Sequence, residues 1–207
     1  MKIFITSLLL TVLCIALTGC PTPLCLNPEP SYTFPVTAGF TPEQDSIRVG
    51  DTLFLVSEFP TALVPLGGQQ PVDYSGSTGI GSTLNLLRLE SGRTSTPAVA
   101  SFEYVNVWGR IYNSTDIPSP ERVQQLRFEE NDGKYKLRVG LIPKEPGIYS
   151  LIVGNGLSNG RFFGDRCLRA AFQITVDNPN PHMHYLKTHT DTPLEQIPRI
   201  HYLFKVY

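Results

Sequence analysis

Ser46-Ile-Arg-Val-Gly-Asp-Thr-Leu-Phe-Leu-Val56 is the stretch whose reading decides the fold class. Two runs rich in β-branched and apolar residues, Ser46 to Val49 and Thr52 to Val56, flank Gly50-Asp51. Gly and Asp are turn residues, so the stretch reads as strand, turn, strand. Working outward, the same grammar repeats. Tyr32-Thr-Phe-Pro-Val36 alternates and reads as an edge strand, because Pro35 has no N–H to give a ladder. Leu84 to Leu89 places Leu84, Leu86 and Arg88 on one face. Val99 to Ile111 reads as one long strand or a bent pair. Arg122 to Phe128, Tyr135 to Leu141, Ile148 to Val153, Ala170 to Val176 and Tyr202 to Val206 complete the set. Asn131-Asp132-Gly133 is a strong hairpin turn, since all three residues tolerate positive φ. Residues 60–82 read as a long loop with room for one short edge strand, and Thr41 to Gln44 offers at most one helical turn. Short period-2 runs without a convincing helix give an all-β chain, an antiparallel β-sandwich or barrel with long loops.

Two segments sharpen this. Ile47 to Leu55 resembles the opening of many extracellular Ig-like domains. Glu145-Pro-Gly-Ile-Tyr149-Ser-Leu151 resembles the tyrosine-corner approach to strand F of that fold, with Tyr149 in the corner. The resemblance implies an Ig-like β-sandwich. The chain departs from the family where a cysteine is expected, because Leu151 stands there and no cysteine lies near Leu53 or Leu55. Trp108 lies too far along the chain from Leu55 to be the family's strand-C tryptophan without an insertion.

The N-terminus carries an address. After Lys2, Ile3 to Leu17 is uncharged, and Leu17-Thr-Gly-Cys20 follows. A basic start, a short apolar run and small residues are the layout of a secretory signal, and the run is too short for a relaxed membrane span. The order Leu-Thr-Gly-Cys resembles the lipobox of bacterial lipoproteins. That resemblance implies a signal peptide over 1–19, lipidation of Cys20 (palmitate among the acyl groups) and a membrane partner through the lipid anchor. Pro21 stands where an inner-membrane retention Asp is expected, so the resemblance implies an outer-membrane lipoprotein of the cell envelope, facing either the periplasm or the medium. Plain secretion and a short uncleaved anchor are the alternatives. Residues 20–31 read as a Pro-rich tether and residues 32–207 as a single sandwich domain.

Removing residues 1–19 from 207 leaves 188, and Lys2 goes with them, so 16 basic residues face 18 acidic ones. That balance argues against nucleic acid, whose binders carry a basic patch, and against purely electrostatic binding to anionic lipid. Of four cysteines, Cys14 leaves with the signal and Cys20 is committed to lipid. Cys25 and Cys167 remain, an even pair in an oxidising compartment, which reads as a disulfide, with two free thiols as the alternative.

Catalytic signatures are sparse. There is no HExxH and no CxxC, and Glu129 and Glu130 point to opposite faces if they lie on a strand. Gly154-Asn-Gly156 leads into no helix, so no phosphate cradle is expected. His182-Met-His184 has a spacing that suits zinc if a third ligand such as Asp191 or Glu195 arrives, but surface histidines are the preferred reading, including His189 and His201. Neither a resident metal nor a cofactor is expected. Phe102 and Tyr104 read as core. Trp108 and Tyr112, with Arg110, Asn106 and Asn113 beside them, form a candidate ligand platform, and Arg161-Phe-Phe-Gly164 is a second aromatic loop. The expected function is a non-enzymatic, lipid-anchored binding or assembly module with a protein or glycan ligand. The alternatives are a carbohydrate- or metal-binding accessory protein or enzyme using the Trp108 region or the C-terminal histidines, and a pilus or surface-assembly subunit that adds strands at an open edge.

Overall fold

The computed structural model describes Cys25 and residues 29–90, 94–114, 118–163, 166–178, 180–187 and 196–207. The segments read as signal peptide, Cys20, His189, Asp191 and Glu195 lie outside the described residues. In chain order the strands are β1 (Glu29–Thr41), β2 (Ser46–Ile47), β3 (Leu53–Pro60), β4 (Ala62–Leu63), β5 (Val72–Asp73), β6 (Gly81–Leu89), β7 (Ser95–Pro97), β8 (Phe102–Trp108) and β9 (Arg110–Tyr112). They continue as β10 (Val123–Arg127), β11 (Glu129–Asn131), β12 (Lys134–Pro143), β13 (Gly147–Val153), β14 (Gly156–Leu157), β15 (Arg161–Phe163), β16 (Arg166–Val176) and β17 (His201–Val206). Two short 3₁₀ turns are the only helical pieces among the described residues. Among the described residues the fold is an all-β sandwich with mostly antiparallel pairing.

Alternation builds both layers. In the back sheet, β3 lies between β12 and the end of β1, and β12 pairs on its far side with β11 and then β8. Leu53, Leu55 and Phe59 on β3 and Tyr135, Leu137, Val139 and Leu141 on β12 point inward and are buried. In the front sheet, β6 sits between β10 and β13, with β9, β17 and β16 further out. Its inward side chains include Leu84, Leu86, Tyr149, Leu151, Phe172, Tyr202 and Phe204, and they meet those of the back sheet in one contiguous core. The hairpin at Asp132-Gly133 forms as the turn chemistry dictates, with φ of 51° and 70°.

Two strands join the layers. β1 runs parallel to β16 over Glu29 to Ala38, then crosses at Gly39 to pair antiparallel with β3. The crossing is fixed by Asn178, whose Oδ1 accepts from the Phe40 N–H at 2.7 Å and whose Nδ2 donates to the Phe40 carbonyl at 2.8 Å. A buried carboxamide thus replaces the lost ladder neighbour. At the other flank, Gly109 (φ +63°) turns the chain from β8 in the back sheet to β9 in the front one. A Cβ at Gly109 would collide with the Arg127 carbonyl, so only glycine fits this corner.

The structure amends several expectations. The β1–β16 and β2–β17 pairs are parallel, so the sandwich is not purely antiparallel. A strand entering from the N-terminal arm can lie along β16 in either direction, and the alternation of its side chains does not distinguish them. Val99 to Ile111 is a 3₁₀ turn followed by the bent pair β8–β9. Thr41 to Gln44 forms no helical turn. β1 begins at Glu29, inside the stretch read as tether. The long loop 60–82 forms the β4–β5 hairpin and inserts Tyr74 into the core, fully buried, with its carbonyl accepting from the Tyr135 hydroxyl at 2.7 Å.

The tyrosine corner is present in its geometry: the buried Tyr149 hydroxyl donates to the Glu145 carbonyl four residues upstream at 3.0 Å. Burial pushes its phenol up from the ordinary value. Tyr149→Phe is expected to cost about 1–2 kcal/mol, since it removes one hydrogen bond and leaves a carbonyl unsatisfied. Urea denaturation measures this, and a loss below about 0.3 kcal/mol would show that the corner contributes nothing to stability.

Candidate functional site

β8 differs from every other long strand in leaving its apolar residues outside. Phe102 is buried and Tyr104 packs on the core with its hydroxyl on the Val99 carbonyl at 2.8 Å, as expected for core rings. Beyond them, Val105, Val107 and Trp108 are 41%, 49% and 38% exposed, three of the eight most exposed large hydrophobic residues among those described. β8 has one strand neighbour, β12, so its other edge carries an unpaired row of backbone N–H and C=O groups among the described strands. Unprotected edges of this kind accept further strands.

The register assembles a face behind that edge. Val105 lies opposite Gly140, which lies opposite Phe54; Trp108 lies opposite Arg138, which lies opposite Val56. A bulge between Arg138 and Val139 re-aims the end of β8. The Arg138 guanidinium stands 4.4 Å over the Phe54 ring and the Lys136 ammonium 5.1 Å over the Trp108 ring. Cation–π contacts at exposed sites stabilise by about 0.5–1 kcal/mol each, enough to hold the rings in place. Lys136 also reaches Asn131 Oδ1 at 3.2 Å. The result is an apolar, aromatic strip capped by two cations and bordered by an unpaired strand edge.

The expected platform is divided by the Gly109 corner. Trp108 stays on the back sheet, whereas Arg110 and Tyr112 lie on β9 of the front sheet, so the two rings do not share a strand face. Arg110 stacks over Tyr112 at 5.1 Å, and Arg127 Nη2 donates to the Tyr112 hydroxyl at 3.2 Å. Asn106 Oδ1 accepts from the Ile111 N–H at 2.8 Å and braces the corner instead of facing a ligand. The sequence marks Trp108 but not Phe54, Val56, Lys136 and Arg138 beside it, because cross-strand register is not written in any one segment.

Three of the histidines lie among the described residues, and His182 departs from the expected surface position. His182 is buried, with Nδ1 at 2.8 Å from the Leu203 carbonyl and its ring edge-on to Tyr202. His184 Nε2 lies 3.4 Å from Asp45 Oδ1. Burial holds His201 below its ordinary value. No group of three or more His, Cys, Asp or Glu residues is placed to hold a metal ion among the described residues. Cys25 and Cys167 form a disulfide, with Cα atoms 5.4 Å apart across 142 residues of sequence.

The chain matches no protein-family model, and no curated protein matches it. Among solved structures, it is similar to the second type II cohesin module from the cellulosomal adaptor ScaA scaffoldin of Acetivibrio cellulolyticus. The TM-score is 0.34 at 10% identity, covering 68% of this chain and 92% of that one. It is also similar to the seventh ScaB type I cohesin from Pseudobacteroides cellulosolvens, with a TM-score of 0.25 at 16% identity, covering 72% and 96%. Similarity this low assigns no function.

Proposed function

We propose that the chain is a lipid-anchored binding module of the bacterial outer envelope that captures a partner protein by adding an extended segment of it to the edge of β8. One observation carries the reading: β8 combines an unpaired backbone edge among the described strands with three exposed apolar residues, Val105, Val107 and Trp108. Backbone pairing supplies affinity in strand addition, and alternate side chains supply specificity. Lys136 and Arg138 border the strip, and no carboxylate pairs with Arg138 among the described residues, so the incoming segment is apolar with acidic residues interspersed. Such binding requires no catalytic step.

The anchor belongs to this reading through Leu17-Thr-Gly-Cys20. Cys25 is fastened to Cys167, so only the five-residue step from Cys20 to Cys25 separates acyl chains from body, a reach of at most about 17 Å.

Two measurements test the reading. In the full chain expressed in a Gram-negative host, an alkyne-palmitate label is expected on the protein and absent from Cys20→Ser; label persisting in that variant rules out the anchor. Selection from a library of extended peptides is expected to enrich alternating apolar and acidic residues. The selected peptide should slow amide exchange across residues 103–107, and Trp108→Ala should weaken it at least about 30-fold, as central aromatic residues of interfaces do. Protection elsewhere, or unchanged affinity in Trp108→Ala and Val105→Lys, would overturn the site.

A further inference from the structure

The opposite face of the sandwich carries a second feature, unrelated to β8. On the outside of the front sheet, Arg127 pairs across to Gly81, Gly81 to Leu157, and Leu157 to Ala171. Gly81 leaves that row without a side chain in its middle. A Cβ at Gly81 would come within 2.8 Å of the Leu126 carbonyl, so the gap is built into the backbone. The groove this leaves has a volume of about 270 Å³. Arg127 from β10 and Arg169 from β16 both line it, together with Thr83, Gln125, Asn155 and Asn159.

Its charge is one-sided, because no Asp or Glu lines it. Arg127 has the Tyr112 hydroxyl as its hydrogen-bond partner, and Arg169 has none among the described residues. The Nε atoms of both are buried without a partner. Desolvated guanidinium donors are costly unless an acceptor meets them, and structures rarely leave two in one groove. A planar oxyanion that takes two parallel N–H donors is the natural complement of arginine. The remaining lining is neutral and hydrogen-bonding, which suits hydroxyls better than it suits a highly charged phosphate. Leu157, 48% exposed, offers an apolar patch for the C–H face of a ring. The volume falls just below the range of drug-sized pockets, which fits one or two sugar units.

We propose that this groove binds an acidic saccharide, with Arg127 and Arg169 holding the carboxylate of a uronate and Gln125, Thr83 and Asn155 facing its hydroxyls. The site lies on the other sheet from β8, so it stands or falls independently of the strand-addition reading.

Isothermal titration with oligomers of galacturonate, glucuronate and mannuronate tests it, each set against its methyl ester. At least one acid is expected to bind, and its ester at least about tenfold more weakly. Arg127→Gln and Arg169→Gln should each lower affinity at least about tenfold. Arg138→Gln, on the back sheet, should leave it unchanged. Leu157→Glu is a second variant, at a half-exposed position, that puts a repelling charge in the groove, and it should abolish binding with the melting temperature preserved. No binding by any of the three acids overturns the proposal. So does equal binding of acid and ester, equal loss in Arg138→Gln, or binding to phosphatidylglycerol vesicles in place of the saccharides.

Discussion

Replacing Cys25 and Cys167 together by serine is expected to lower stability by up to about 5 kcal/mol, the largest effect of any change outside the core. The bridge spans 142 residues, and the loss follows from the chain entropy that so long a loop regains in the unfolded state. Native adjustments and residual structure in the unfolded chain reduce the figure, so about 3–5 kcal/mol is the working range. In thermal scans this is a fall of roughly 10 °C or more for a chain of this length. The bridge also fastens the arm ahead of β1, the strand that joins both sheets at one flank. Amide exchange should therefore rise first along β1 and its partner β16. A melting temperature within about 2 °C of the parent would mean that the bridge constrains neither state.

Phe172→Ala is expected to cost about 3–5 kcal/mol, the range for removing a buried phenyl ring and leaving its cavity. Phe172 is 1% exposed and stands at the centre of an aromatic cluster. Its ring centroid lies 5.7 Å from Phe34, 5.6 Å from Phe59 and 6.2 Å from Tyr74. These rings come from β1, β3, the long loop and β16, so the cavity opens where both layers and the loop meet. Phe172→Leu keeps most of the volume and should lose much less. Denaturant unfolding of the two variants separates cavity from shape, and equal small losses below about 1 kcal/mol would show that the cluster is loosely packed.

The alternation of β3, β6, β12 and β13 was legible because one face of each meets the core, which imposes a period of two on the residues. The Asp132-Gly133 turn and the Tyr149 corner were legible because each is a local device, completed within a few residues. Core membership of Phe102 and Tyr104 followed from the same alternation. Tyr74 was not legible, since it sits in a Gly- and Pro-rich stretch with no period and is buried only because the loop folds back.

Trp108 shows where local reading stops. Its strand was evident, yet its neighbours Arg138 and Phe54 come from β12 and β3, and the bend at Gly109 takes Tyr112 to the other sheet. Arg127 and Arg169 likewise meet across one groove only because β6 and β14 lie between their strands.

The sequence by itself determined most of the long strands, their inward faces and the hairpin turn, and it made the pairing of Cys25 with Cys167 the expected one. It did so because side-chain period, turn conformation and cysteine count are properties of short segments or of simple arithmetic. The tertiary structure alone decided which strands lie side by side, the parallel course of β1, the sheet changes at Gly39 and Gly109, and both candidate binding surfaces. Those depend on contacts between residues far apart in the chain, and a period of two says which way a side chain points but never what it meets.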